Sequence, residues 1–132
     1  MPISAKGLTE LEVLVVDDDP DSRDLIVFVL EEDGAKVTAV SSALEALQAL
    51  QQDKFSLLIS DIGMPQMDGY MLMQEIRSWT PESGGQIPGI AVTAYAGEGD
   101  QQQALAMGYQ CHLAKPIDPM KLLTTIAELI KI

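Results

Sequence analysis

The sequence predicts an α/β domain, a single parallel sheet doubly wound with helices on both faces, and three observations predict it. Five short apolar runs alternate with helical patterns along the 132 residues. Three of these runs, VLVV, SLLI and IAV, are continuously apolar, as strands covered on both faces are. Helix-start signals follow the strands at the spacing of βαβ units, whose crossovers are right-handed.

Taken in order, the first strand is read at Glu12–Val16. Asp19-Pro20 then supplies an N-cap followed by proline at the first helical position, and Gly34 ends that helix. The second strand, Lys36–Val40, carries Lys and Thr and suits a sheet edge. Ser42-x-x-Glu45 has the capping-box form and opens a helix to about Gln52. The apolar run Phe55–Ser60 is the third strand and delivers Asp61, after which Asp68-Gly69 starts a helix to about Trp79. Thr80–Pro88 is the one long loop, expected to be flexible from its Pro, Ser and Gly content. Gly89–Val92 is the fourth strand and ends at Thr93, and a helix over about Glu98–Met107 follows Gly97 and Gly99. The fifth strand, Cys111–Ala114, ends at Lys115-Pro116, and Asp118-Pro119 repeats the cap-and-proline signal before the last helix. With the polar second strand at an edge, the favoured order is the flavodoxin-like 2-1-3-4-5. Its crevice opens outside the carboxyl ends of strands 1 and 3. Residues 1–11 read as a lead-in and 12–132 as the single domain.

Composition narrows the function. A chain of this length buries a real core, and 47 % apolar residues exclude disorder. The net charge of −12 argues against nucleic acid or an anionic membrane as partner, and fits a protein that holds a divalent cation. One cysteine, Cys111, forms no internal disulfide, and no apolar stretch reaches transmembrane length. The opening MPISAKG lacks the apolar segment of a signal peptide, so a cytoplasmic location is expected.

The chemistry lies at the strand ends. Asp17 and Asp18 follow the first strand, Asp61 the third, Thr93 ends the fourth and Lys115 the fifth. Acid, acid, hydroxyl and amine thus reach one edge of the sheet, a combination that points to phosphoryl chemistry at an aspartate. Three close carboxylates repel one another without a cation. An all-oxygen site of this kind suits a hard metal such as Mg²⁺, which binds phosphate oxygens and keeps water. Each residue alone has a plainer reading: Thr93 as a strand end, Lys115 as a surface charge, Asp19 as a helix cap. Joint placement reverses the first two and leaves Asp19 as a cap. Met64, Met67, Met71 and Met73 read as packing residues around the site.

The motifs VLVVDDD at 13–19, SDIGMPQMDG at 60–69, VTA at 92–94 and KP at 115–116 stand in an order that resembles response-regulator receiver domains, the phosphoacceptor half of two-component signalling. The resemblance covers about Val13 to Ile130. It implies Asp61 as the phosphoacceptor nucleophile, with Lys115 and Thr93 contacting the phosphoryl group. It implies a metal site for Mg²⁺, with Mn²⁺ as a substitute, formed by Asp18, Asp61, the Gly63 carbonyl and, through water, Asp17. The Lys115-Pro116 peptide is implied to be cis. His112 stands where the family has a switching aromatic and would follow Thr93, reshaping the face of helix 4, strand 5 and helix 5. Gly63 and Tyr95 occupy positions flanking the path of the hydrolytic water, where receivers vary. A self-phosphorylating and self-dephosphorylating domain is implied, with no kinase motif of its own.

Partners follow from the same resemblance: a histidine kinase or histidine phosphotransfer protein as donor, a protein target downstream, and a monomer or weak dimer. Helix 1 is expected to bury Leu25, Ile26, Val29 and Leu30 and to leave Val27 and Phe28 towards solvent near Asp61, as a docking patch for the donor's helical bundle. The lead-in Gly7–Glu12 resembles that of receivers in hybrid kinases, which favours a hybrid-kinase receiver over a free-standing regulator. Two other classes fit the residues less well. A haloacid-dehalogenase-like phosphatase would use Asp17-x-Asp19, but Asp21 stands where it expects Thr or Val. A pseudo-receiver binding module would lack an acid or the lysine, and none is missing.

Overall fold

The computed structural model describes residues 7–94 and 97–131, with the main chain alone at Glu98. Five parallel strands form one sheet in the order β2-β1-β3-β4-β5. In chain order the elements are β1 (Glu12–Val16), α1 (Pro20–Glu32), β2 (Lys36–Val40), α2 (Ala43–Gln52), β3 (Leu57–Asp61), α3 (Gly69–Arg77), β4 (Gly89–Thr93), α4 (Glu98–Ala106), β5 (Cys111–Ala114) and α5 (Pro119–Ile130). The predicted class and order are the observed ones.

Strand alternation builds two cores. Val13 and Val15 point to the face covered by α1 and α5, where Ile26, Leu30, Leu122 and Ile126 are fully buried. Leu14 and Val16 point to the other face, against Ala46, Leu72 and Ile76 of α2 and α3. Each such aliphatic side chain contributes about 1.5–3 kcal/mol on burial. β3 and β4 are buried along their whole length, while β2 is the part-exposed edge that its Lys and Thr foretell. Leu8, upstream of β1, also packs in the α1/α5 core, and its N–H bonds the Asp33 carbonyl at 3.0 Å.

The caps behave as their sequences dictate. Asp19, Ser42, Asp68 and Asp118 each accept a main-chain N–H of the helix they open. In this arrangement the Asp19 carboxylate is committed to α1, which removes the second acid of a dehalogenase-type pair.

Several expectations need correction. Leu25 is 38 % exposed, because the stripe that α1 lays on the sheet is Ile26, Val29 and Leu30, and Leu25 lies one residue outside it. Val27 is half-buried, so the exposed apolar pair of α1 is Leu25 with Phe28, which is 63 % exposed. Loop Thr80–Pro88 is held from within and from outside: a 3₁₀ turn at Pro81–Ser83, buried Ile87, and the Arg77 guanidinium of α3, which donates to the Gly85 carbonyl at 2.8 Å. Met71 is exposed, unlike Met64 and Met73, since it falls on the outer face of α3. In α4, Ala104 is buried and Leu105 is exposed, and Met107 is the C-cap. Among the described residues no helix is long and apolar enough to cross a membrane.

Candidate functional site

The carboxyl ends of β1 and β3 bring three acids together. Asp17, Asp18 and Asp61 each offer a carboxylate oxygen within 4.8 Å of the others. Asp17 is 1 % and Asp61 5 % exposed, whereas Asp18 faces solvent. β1 and β3 are paired in register, Val16 opposite Ser60, so the residues that follow them necessarily emerge side by side. The turn after β1 is fixed by the Asp19 N–H, which donates to Asp17 Oδ1 at 2.9 Å.

Lys115 supplies the countercharge. Its Nζ lies 3.1 Å from Asp17 Oδ2 and 3.4 Å from Asp61 Oδ1. β5 ends one residue earlier, the Lys115–Pro116 peptide is cis, and the Lys115 N–H donates to the Thr93 carbonyl at 2.9 Å. Thr93 itself is buried at the end of β4. Register places Val92 beside Asp61 and Ala114 beside Thr93, so acid, hydroxyl and amine share one rim of the sheet.

Burial, followed by the charge of Asp17, pushes the Asp61 carboxyl up to about 6, against the pull of Lys115. Burial also disfavours the Lys115 ammonium, but its bond to Asp17 and the charges of Asp17 and Asp61 outweigh that and hold it above its ordinary value. One ammonium for three carboxylates leaves a surplus of negative charge in a buried crevice. Asp17 Oδ2 is buried with no hydrogen-bond partner, and its contact with Lys115 is an ion pair. The oxygen-only donor set and the surplus charge fit a hard divalent cation. Gly63 is exposed beside the site, and a Cβ there would meet nothing within 4 Å, so position 63 opens on free space. Tyr95 lies outside the described residues.

His112 projects from β5 opposite Ala91 of β4. It is half-buried, and its Nε2 is buried without a hydrogen-bond partner. The apolar pair Leu25 and Phe28 is exposed on the surface of α1.

Sequence reasoning missed three residues that shape the site. Arg23 donates from Nη1 to the Asp17 carbonyl at 3.0 Å, tying α1 to the acidic turn. The spacing carries a hint, because Asp19 and Arg23 are four apart on one helix. Ser60 is fully buried and donates to the Asp61 carbonyl at 2.9 Å. Tyr109, 2 % exposed, donates its hydroxyl to the Gly69 carbonyl at 2.7 Å. Its signal was the Gly108-Tyr109 pair: a glycine just past a helix is commonly followed by a residue that packs back on that helix.

A 2-1-3-4-5 sheet opening on such a rim defines the receiver class of two-component signalling domains. The chain belongs to the response regulator receiver domain family, which it matches over residues 13–127. It is 46 % identical to the "uncharacterized 14.6 kDa protein in sodA1 3′ region" of Leptolyngbya boryana, covering 92 % of this chain and 91 % of that protein. It is 39 % identical to the sensor histidine kinase GacS of Pseudomonas protegens over 88 % of this chain, which spans 13 % of that kinase. Among solved structures it is similar to the receiver domain of the sensor histidine kinase PA1611 of Pseudomonas aeruginosa PAO1, at 31 % identity and a TM-score of 0.83. That match covers 92 % of this chain and 98 % of the other, whose structure has a magnesium ion coordinated in the active site cleft. The chain is therefore a receiver domain of two-component signalling, and the phosphatase alternative is not favoured.

Proposed function

We propose that Asp61 is the phosphoacceptor and that residues 12–132 work as one receiver unit. A partner's phosphohistidine is the donor. One carboxylate oxygen of Asp61 attacks phosphorus, the O–P bond forms as the N–P bond breaks, and the departing imidazole keeps the electron pair and takes a proton from solvent. The product is an aspartyl phosphate, a mixed anhydride that water later cleaves. The observation that carries this reading is the buried Asp61 carboxylate held 3.4 Å from the Lys115 ammonium within an otherwise acidic cluster.

The other residues take their roles from position. Lys115, already beside Asp61, meets a phosphoryl oxygen, and the Thr93 hydroxyl donates to another. Asp17, Asp18, Asp61 and the Gly63 carbonyl would hold Mg²⁺, or Mn²⁺ in its place. The bound ion would neutralise charge on the transferring group. The surplus negative charge of the three clustered carboxylates supports that assignment. With the phosphoryl group present, Thr93 moves inward, His112 follows into the space beside β4, and the α4-β5-α5 face changes shape. Such a change is a shift between populated states, biased by phosphoryl contacts. The sparse core of α4, which buries Ala104 but leaves Leu105 47 % exposed, keeps that shift inexpensive.

The exposed pair Leu25 and Phe28, with half-buried Val27, forms the donor's docking surface on α1. The donor is a histidine kinase or a histidine phosphotransfer protein, and output passes by protein contact. A cytoplasmic setting follows from such partners. The test is mass spectrometry after acetyl phosphate and Mg²⁺: one phosphoryl group on Asp61 supports the reading, and labelling elsewhere or nowhere overturns it.

A further inference from the structure

We infer that Tyr109 is a positioning residue for the phosphoacceptor: its buried hydroxyl holds the first turn of α3 against the main chain of Asp61. The inference rests on the receiver reading above and adds to it a residue that touches neither phosphoryl group nor metal.

Gly69 is the hub of the argument. It opens α3, its N–H donates to the Ile62 carbonyl at 2.9 Å, and its own carbonyl accepts from the Tyr109 hydroxyl at 2.7 Å. A Cβ on Gly69 would lie 2.4 Å from the Asp61 carbonyl oxygen and 2.8 Å from Ile62 Cα, so the turn is pressed directly onto the phosphoacceptor's backbone. The same Asp61 carbonyl accepts from Ser60 Oγ at 2.9 Å. Residues 62–68, including Gly63, are thus a loop pinned at both ends, and Tyr109 secures the far end.

The tyrosine is itself held rigidly. Gly108 has φ of +114°, where a side chain is strained, and ends α4. The Tyr109 N–H then returns to the Ala104 carbonyl at 3.0 Å, turning the ring inward. Arg77 clamps the turn with two donations to the Gly108 carbonyl, at 3.1 and 2.7 Å. Gly89 makes room for the ring, since a Cβ there would stand 3.2 Å from Tyr109 Cδ1. Burial drives the Tyr109 phenol upward in pKa, with the Ser60 hydroxyl opposing, so it remains a neutral donor. A phenol so placed loses the Gly69 carbonyl as acceptor if it is misaligned, and leaving a buried donor unpaired is costly. Ordering the loop that carries the Gly63 carbonyl is the consequence for function.

The experiment compares wild type with Tyr109→Phe, using MgCl₂ titrations followed by backbone amide shifts and labelling by acetyl phosphate at subsaturating Mg²⁺. Removing one hydroxyl behind a metal site weakens affinity on the order of tenfold, and the expected result is that loss in Mg²⁺ affinity with a matching drop in labelling rate. Ile76→Val, which trims the α3 core without touching a hydroxyl, serves as the stability control and keeps wild-type affinity. Should Tyr109→Phe fail to fold, Tyr109→Met, which fills the space without the hydroxyl donor, is read against the same control. Affinity within about twofold of wild type, or an equal loss in Ile76→Val, overturns the inference while the receiver reading stands. A wild type that binds no Mg²⁺ and accepts no phosphoryl group overturns both.

Discussion

Replacing Asp61 by asparagine should stabilise the fold while destroying its chemistry. Asp61 is 5 % exposed, and burial and Asp17 raise its carboxyl from 3.8 to about 6. A group raised in the folded state contributes stability that is fully present below the unfolded value and lost as pH rises through the folded one. The gap corresponds to about 3 kcal/mol of cost at pH 7.5 and about 1 kcal/mol at pH 4.5. Asparagine carries no charge to bury, the attraction to Lys115 is already contained in that gap, and solvent screening at the rim discounts it. The net gain expected for Asp61→Asn at pH 7.5 is therefore about 1–3 kcal/mol, a rise in Tm of roughly 3–10 °C. Thermal melts in chelator at the two pH values provide the assay, and the advantage of the variant should shrink at pH 4.5. A variant no more stable than wild type at pH 7.5 would refute the claim that the site stores unfavourable charge.

Two further outcomes concern partners and switching. Phe28→Asp should slow phosphotransfer from a protein donor by about tenfold or more, as loss of an apolar anchor at an interface does, and leave acetyl phosphate labelling nearly intact; equal loss with both donors would assign Phe28 to folding. Beryllofluoride with Mg²⁺ should alter hydrogen exchange across residues 93–115, the stretch holding Thr93, α4 and His112, and an unchanged profile there would exclude the proposed switch.

Much of the fold was legible because each βα unit carries its own punctuation. Asp19-Pro20, Asp68-Gly69 and Asp118-Pro119 mark helix starts that the structure places within a residue. The apolar runs of β1, β3 and β4 identified central strands, and Lys36 and Thr38 identified an edge. The acidic rim was legible for the same reason, since strands in register deliver their terminal residues together. What escaped notice depends on three-dimensional neighbours. Arg23, Ser60 and Tyr109 act on main-chain carbonyls, and an acceptor of that kind leaves no mark in the sequence. Leu25 was misplaced because six consecutive apolar residues, 25–30, permit more than one buried stripe, and only the crossing of α1 on the sheet selects Ile26, Val29 and Leu30. The order of loop Thr80–Pro88 comes from Arg77, which lies outside the loop.

The central claim is that Asp61 accepts the phosphoryl group with the aid of a divalent cation. Intact-protein and peptide mass spectrometry after acetyl phosphate, with Mg²⁺ or with chelator, tests it most directly. The account predicts a gain of one phosphoryl group, on Asp61 alone, labile in base, absent in chelator and absent in Asp61→Asn. Labelling that persists in chelator, or in Asp61→Asn, would contradict it.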